Sequence, residues 1–283
     1  MFDYTSIVLE SDWRADFVQI HRNVFLGIDR TTGLSIGKVT LNGVTIDAET
    51  DEALIQYKLW STRPERAVGK QAAIDGVNME ELIETYEEIL VGAYILSAKQ
   101  VNSEVTTLTL LPNIKSTLTW LRSTDFYTAP ASTAFHESFP GGLLVHSLRV
   151  YNQAMKLRAI DSFADVPIED AAIAALVHDW CKISLYESYQ RNVKNEVSGE
   201  WDKVTSYRRA PKGLLLGHGV TSMYLANRCF NLKPEVALAI RWHMGHYDVS
   251  TRDEFELYES TDTYPLLLLI QFADQLSVTK YAK

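Results

Sequence analysis

The chain is poor in cysteine, in basic charge and in long apolar runs. Its 283 residues hold two cysteines, Cys181 and Cys229, far apart and in no CxxC pair. Neither a disulfide framework nor a cysteine-ligated zinc knot is expected, and a cytoplasmic, reducing location suits the chain. Basic residues number 27 against 36 acidic ones, a formal net charge of -9. General binders of long nucleic acid carry a basic stripe, so that role is not favoured. A phosphate substrate stays open, because bound divalent cations reverse the local field. The most apolar run, 265–270, is far too short to span a bilayer. The opening MFDYTSIVLESDWRADF mixes acids with apolar residues, unlike a secretory leader. No membrane partner is expected.

What is present is an ordinary core-forming composition, 46% hydrophobic and 22% charged, long enough for one large domain or two modest ones. Residues 1 to about 110 read as mixed α+β. KVTLNGVTID (38–47) alternates around Asn42-Gly43, the dipeptide of a two-residue hairpin turn. NMEELIETYEEILVGAYIL (78–96) reads as a helix capped by Asn78, and EVTTLTLL (104–111) as a strand. No catalytic constellation appears in this region. It is expected to be an accessory or oligomerisation element, with which a homo-oligomer is compatible.

From about residue 111 the pattern turns helical, with apolar residues at three- and four-residue intervals over roughly 113–123, 142–158, 168–181, 213–230, 233–245 and 263–279. Pro167, Pro211, Pro234 and Pro265 fall near the starts. The polar and aromatic stretch 186–212 is long for a plain connector, so it is either functional or a small hairpin.

Into these apolar helices are planted His146, His178-Asp179, His218, His243 and Asp274. A lone buried imidazole or carboxylate is costly without a partner, and one such residue would be unremarkable. Several helices each delivering one on an inner face point to a shared divalent cation, for which iron, manganese, nickel, cobalt and zinc all suit nitrogen and carboxylate ligands. Adjacent His178 and Asp179 would present two ligands about 100° apart around a helix.

The order H…HD…H…H…D resembles the HD superfamily of metal-dependent phosphohydrolases, and its two intervening histidines resemble the dinuclear branch. The flanking text is similar to a family of bacterial and phage HD-domain proteins: APASTAFHESFPGGLLVHSLRVY (129–151), LVHDWCKISLY (176–186), LGHGVTSMYL (216–225) and ALAIRWHMGHYD (237–248). GGLLVHSL also resembles bacterial 3′–5′ exoribonucleases that join an OB domain to an HD domain, although residues 1–110 do not read as an OB barrel. The resemblance implies a mainly α chain. An HD-type helical bundle would occupy 111–283, with a smaller α+β region over 1–110.

It further implies two cations. One would be held by His146, His178, Asp179 and Asp274, the other by Asp179 as a bridge with His218 and His243. The implied reaction is hydrolysis of a phosphate ester or phosphodiester, of a nucleotide or oligonucleotide above all, by a metal-activated water. A di-iron oxygenase and a nucleotide-binding module with little turnover are the alternatives. His246, three residues after His243, is a further candidate ligand. Lys182, three residues after Asp179, would bind a phosphate oxygen. His136 would protonate a leaving group, alongside His178 and Asp179 as catalytic residues. Arg208, Arg209 and Lys212, with Tyr207 and Trp201 nearby, would bind a base and its phosphates. Arg241 is expected to turn away from the site, and Trp180 and Cys181 to pack. Relatives often carry an acid after GHG, where this chain has Val220.

Overall fold

The computed structural model describes residues 78–133, 137–194, 201–210, 214, 216–250 and 253–278, together with five short strands nearer the N-terminus. Those strands are β1 (Ser6–Ile7), β2 (Ala15–His21), β3 (Val24–Asp29), β4 (Gly37–Leu41) and β5 (Val44–Ala48). β1, β2 and β3 form one antiparallel sheet and β4 pairs with β5. Leu41 lies opposite Val44, the register required by the two-residue connection read at Asn42-Gly43.

Eight α-helices follow among the described residues: α1 (Met79–Val101), α2 (Thr107–Ser123), α3 (Gly142–Leu157), α4 (Ile168–Val177), α5 (His218–Cys229), α6 (Pro234–Trp242), α7 (Glu254–Thr263) and α8 (Pro265–Ser277). A hairpin of β6 (Tyr186–Lys194) and β7 (Trp201–Arg209) stands between α4 and α5. None of the described helices is long and apolar enough to cross a membrane.

α4 is the hub. Its small residues, AAIAAL, let neighbours approach closely, and Glu169 through Val177 are all buried. α1, α3, α6 and α8 pack around it, and α5 packs on α6. One continuous core runs from Leu82 on α1 to Ala273 on α8. The helical unit therefore reaches back to Asn78, across the boundary expected near 110. Asn78 does cap α1, its side-chain oxygen accepting from the amides of Glu80 and Glu81.

Several boundaries differ from the sequence reading. Residues 107–111 are helical, not a strand. Thr106 caps α2 by accepting from the Thr109 amide at 3.3 Å, and Ile114, Thr117, Leu118 and Leu121 form its buried face. The Thr-Leu alternation serves no sheet face, and Leu108 is exposed. Pro112 sits in the second turn of this helix. Its missing N–H would have met the Leu108 carbonyl, which is close to solvent. α7 falls in a stretch to which the sequence reading assigned no helix. The expected helix 168–181 ends at Val177, and a 3₁₀ turn, Trp180–Lys182, follows.

Candidate metal centre

Each candidate ligand is delivered by a different device. His146 lies one turn into α3, whose start is set by Gly141 and Gly142. Gly141 adopts a left-handed φ of 82°. A Cβ on Gly142 would sit 1.9 Å from the Glu137 carbonyl, so only glycine fits there. His178 caps the C-terminal end of α4, and Asp179, with φ -108° and ψ 18°, turns the chain into the 3₁₀ segment. The pair is thus presented by the end of a helix rather than around its side. His218 is the first residue of α5 and His243 caps the end of α6. Asp274 comes from the third turn of α8.

All six side chains converge. Three groups of potential ligand atoms, each mutually within 4.8 Å, are His146, His178 and Asp179; His178, His243 and Asp274; and Asp179, His218 and His243. Asp179 divides its two oxygens. Its Oδ2 lies 3.2 Å from His146 Nε2 and 3.4 Å from His178 Nε2, while its Oδ1 lies 2.8 Å from His218 Nε2 and 3.7 Å from His243 Nε2. Asp274 Oδ1 is 3.2 Å from His146 Nε2.

Backbone carbonyls set the tautomers. His178 Nδ1 donates to Ala175 O at 2.8 Å and His243 Nδ1 to Ile240 O at 2.7 Å. Each ring therefore turns a bare Nε2 inward, the ligand form of imidazole. His243 Nε2 is buried and has no hydrogen-bond partner among the described residues. Such an orphan costs about 1–3 kcal/mol, and a cation would satisfy it. The donor set fits a divalent metal. Burial lowers the pKa of His178, keeping it neutral. For His146 burial opposes protonation, but hydrogen bonds to Asp179 and Asp274 outweigh it and lift the pKa to about 9. Burial also opposes ionisation of both carboxylates. Lys182 and His178 beside Asp179, and His146 beside Asp274, nonetheless hold their pKa values well down.

His146, His178, Asp179 and His243 are almost wholly buried, whereas the side chains of His218 and Asp274 are 25% and 19% exposed. The cluster is therefore reached from the His218–Asp274 side.

The remaining candidates divide. Lys182 is buried at the cluster, its Nζ 2.6 Å from Asp179 Oδ2. Burial opposes its charge, but Asp179 outweighs that and raises its pKa. His246 does not join the cluster. α6 stops at Trp242, and Gly245, at φ 54°, redirects the chain, so the helical spacing that would have set His246 under His243 is lost. His246 is exposed and its ring packs edge-on against Tyr258. Arg208 is held by Glu187 at 2.7 Å, and Arg209 ends β7 opposite Tyr186. His136 and Lys212 lie outside the described residues. Arg241 turns away, stacking on Trp242 and pairing with Asp248. Trp180 is fully buried, and burial pushes the Cys181 thiol pKa up, so it stays protonated.

Three supporting residues were not singled out from the sequence. Ser277 donates to the Asp274 carbonyl at 2.7 Å, and its oxygen faces His146 Nδ1 at 3.4 Å. Glu137, buried and ion-paired with Arg149, places Oε2 3.9 Å from the same Nδ1. Among the described residues that oxygen has no hydrogen-bond partner. Asp248 accepts from the Gly219 amide at 3.0 Å, fastening the start of α5 to the segment after α6. The HES text before PGG and the glycine after His218 were the available signals, but neither reveals a partner that distant in sequence.

Comparison with known families agrees with this geometry. Residues 143–279 match the family model for the HD domain. The HD-domain match covers the C-terminal part of this chain. Such domains belong to a superfamily of metal-dependent hydrolases, generally phosphohydrolases, and bind divalent metals. The buried His/Asp cluster is compatible with an HD-type metal site. No curated protein and no solved structure matches the chain.

Proposed function

We propose that this HD domain holds two divalent cations and hydrolyses a phosphate ester, with a nucleotide or an oligonucleotide end as substrate. The observation that carries the reading is the division of Asp179. One carboxylate oxygen faces His146 and His178, and the other faces His218 and His243. A single cation would need one of these faces. A carboxylate flanked on both oxygens by imidazole nitrogens suits a bridge, with Asp274 completing the His146–His178 side. Cations bound there would polarise phosphoryl oxygens and lower the pKa of a water to near neutrality.

The chain's own residues supply the rest. Backbone bonds from His178 and His243 fix ring orientation before any ligand arrives. Lys182, kept charged beside Asp179, offers a cation to a phosphoryl oxygen at the buried end of the site. The open side at His218 and Asp274 admits the substrate. The burial of His146, His178 and His243 excludes bulk water and strengthens electrostatic contacts within the site. Arg209 is the substrate contact retained from the sequence reading, since Arg208 is engaged by Glu187.

The test is elemental analysis of the purified protein combined with a phosphatase and phosphodiesterase panel in manganese, nickel, cobalt, iron and zinc. The expected outcome is close to two metals per chain, with Asp179→Asn losing both metals together and at least about a hundredfold in rate. Asp179→Asn retaining full activity would end the proposal, as would protein that takes up no divalent cation.

A further inference from the structure

The β6–β7 ribbon begins shortly after Lys182 and ends shortly before His218, so in sequence it is inserted between two residues of the cluster. The amide of Ala210 closes its base by donating to Leu185 O at 2.8 Å. Beyond that base it forms no packed layer with another described helix or strand. A free-standing two-stranded hairpin is marginal in water, so the composition of its faces needs a reason.

Strand residues two apart share a face. The register pairs Tyr186 with Arg209, Ser188 with Tyr207 and Asn192 with Lys203, and Trp201 falls on the same side at the far end. This face carries two cations and three aromatic rings, and none of its described side chains is acidic. The opposite face holds Arg191 and the Glu187–Arg208 ion pair, with Arg208 over the Tyr189 ring, so one of its two described cations is already neutralised. In a chain with 36 acidic residues against 27 basic ones, this partition separates one surface from the general charge. Trp201 is 67% exposed at its end. At its root, Tyr186 lies close enough to Lys182 and Asp179 to feel both charges.

The geometry points to this face of the ribbon as a track for a single-stranded oligonucleotide that runs from Trp201 down to the Asp179–Lys182 centre. Aromatic rings stack on unpaired bases and cations follow the phosphates, and such a surface needs no sequence preference. Nine residues per strand at about 3.4 Å each give a track of about 30 Å. A duplex hides the base faces the rings would use. A second copy of the chain pairing edge to edge would leave the cations of the face unused. Continuity with the metal centre makes the strand's end the reacting group, so the inference rests on the phosphohydrolase reading above.

The experiment is fluorescence anisotropy with the metal-loaded full chain and a phosphorothioate oligothymidylate of about twelve nucleotides. Trp201→Ala/Lys203→Ala is expected to bind at least about tenfold more weakly and with a shallower salt dependence. Arg191→Ala on the other face is expected to bind within twofold of the parent. Equal losses on the two faces would overturn the track. So would no binding by the parent at low salt, a duplex bound as tightly as a single strand, or a self-association lost with Trp201. Hydrolysis of a small chromogenic phosphodiester by the parent is read on the same samples. Turnover without oligonucleotide binding rejects the track alone, and binding without turnover under any metal rejects the hydrolase reading alone.

Discussion

At the scale of single residues the cluster is a set of closely opposed charges, and metal-free protein should reveal this in its pH dependence. His146 is the gauge. Burial disfavours its imidazolium, but Asp179 and Asp274 raise its pKa from 6.5 to about 9. A folded-state pKa above the unfolded one adds stability that is complete below about 6.5 and fades as pH rises through about 9. His178, whose pKa burial lowers, is neutral in the folded state over that window and in the unfolded state over most of it. The pKa values of Asp179 and Asp274, held well down, matter only in acid. Metal-free protein should therefore melt at a falling temperature from pH 6.5 to 9. The metal-loaded protein should not, because the cation displaces the proton and binds more tightly as pH rises. Calorimetry with and without chelator reads both curves. A metal-free melting temperature that climbs across this window would contradict the charge assignment of His146. The six side chains of the cluster were legible in the sequence because polar residues inside apolar helices need a common partner. Ser277 and Glu137 were not, since a hydroxyl or carboxylate behind a ligand follows no spacing rule.

At the scale of elements, ligand placement depends on where helices stop. α5 begins at His218 and α6 ends beside His243, and the two are held together at Gly219, where a Cβ would stand 1.9 Å from the Arg241 carbonyl. Gly219→Ala must push the start of α5 off the end of α6 and carry His218 away from Asp179. The expected cost is about 1–3 kcal/mol of stability from overpacking, with weaker metal uptake, read by urea unfolding and by metal titration. Retention of full affinity would mean that the two helix ends need not touch. Helix existence was largely legible. Asn78, Pro234 and Pro265 mark their helix starts as caps and first-turn prolines do. Helix ends were not legible at α4 and α6, where the chain turns at Asp179 and Gly245 while apolar spacing continues. α2 was misread because Thr-Leu alternation suits a strand locally and the deciding face, Ile114 to Leu121, lies further on. α7 escaped notice because it buries little beyond Leu257 and Ser260.

At the scale of the whole molecule, the segment that matches the HD domain shares its core with the helix α1 that precedes it. The matched segment begins at residue 143, yet α1 sends Leu82, Ile89, Leu90 and Ile95 into the same core as α4 and α8. Tyr86 of α1 donates to the Leu176 carbonyl at 3.0 Å and accepts from the Trp180 indole at 2.9 Å, straddling the His178–Asp179 step. Buried Glu87 takes two bonds from Arg122 and one from Tyr127. Removing α1 would leave these donors and acceptors without partners and expose several large apolar contacts, each worth about 1.5–3 kcal/mol. Four such side chains alone reach of order 10 kcal/mol, comparable to the whole stability of a domain. We therefore expect residues 111–283 alone to lack a cooperative melt, whereas residues 78–283 should unfold cooperatively and take up metal. Circular dichroism melts and metal analysis on the two fragments decide it. If the shorter fragment melted cooperatively at the parent's temperature, the Tyr86 and Glu87 contacts would be incidental to the fold. If the longer one failed, the strands between Ser6 and Ala48 would be part of the same cooperative unit as the metal centre.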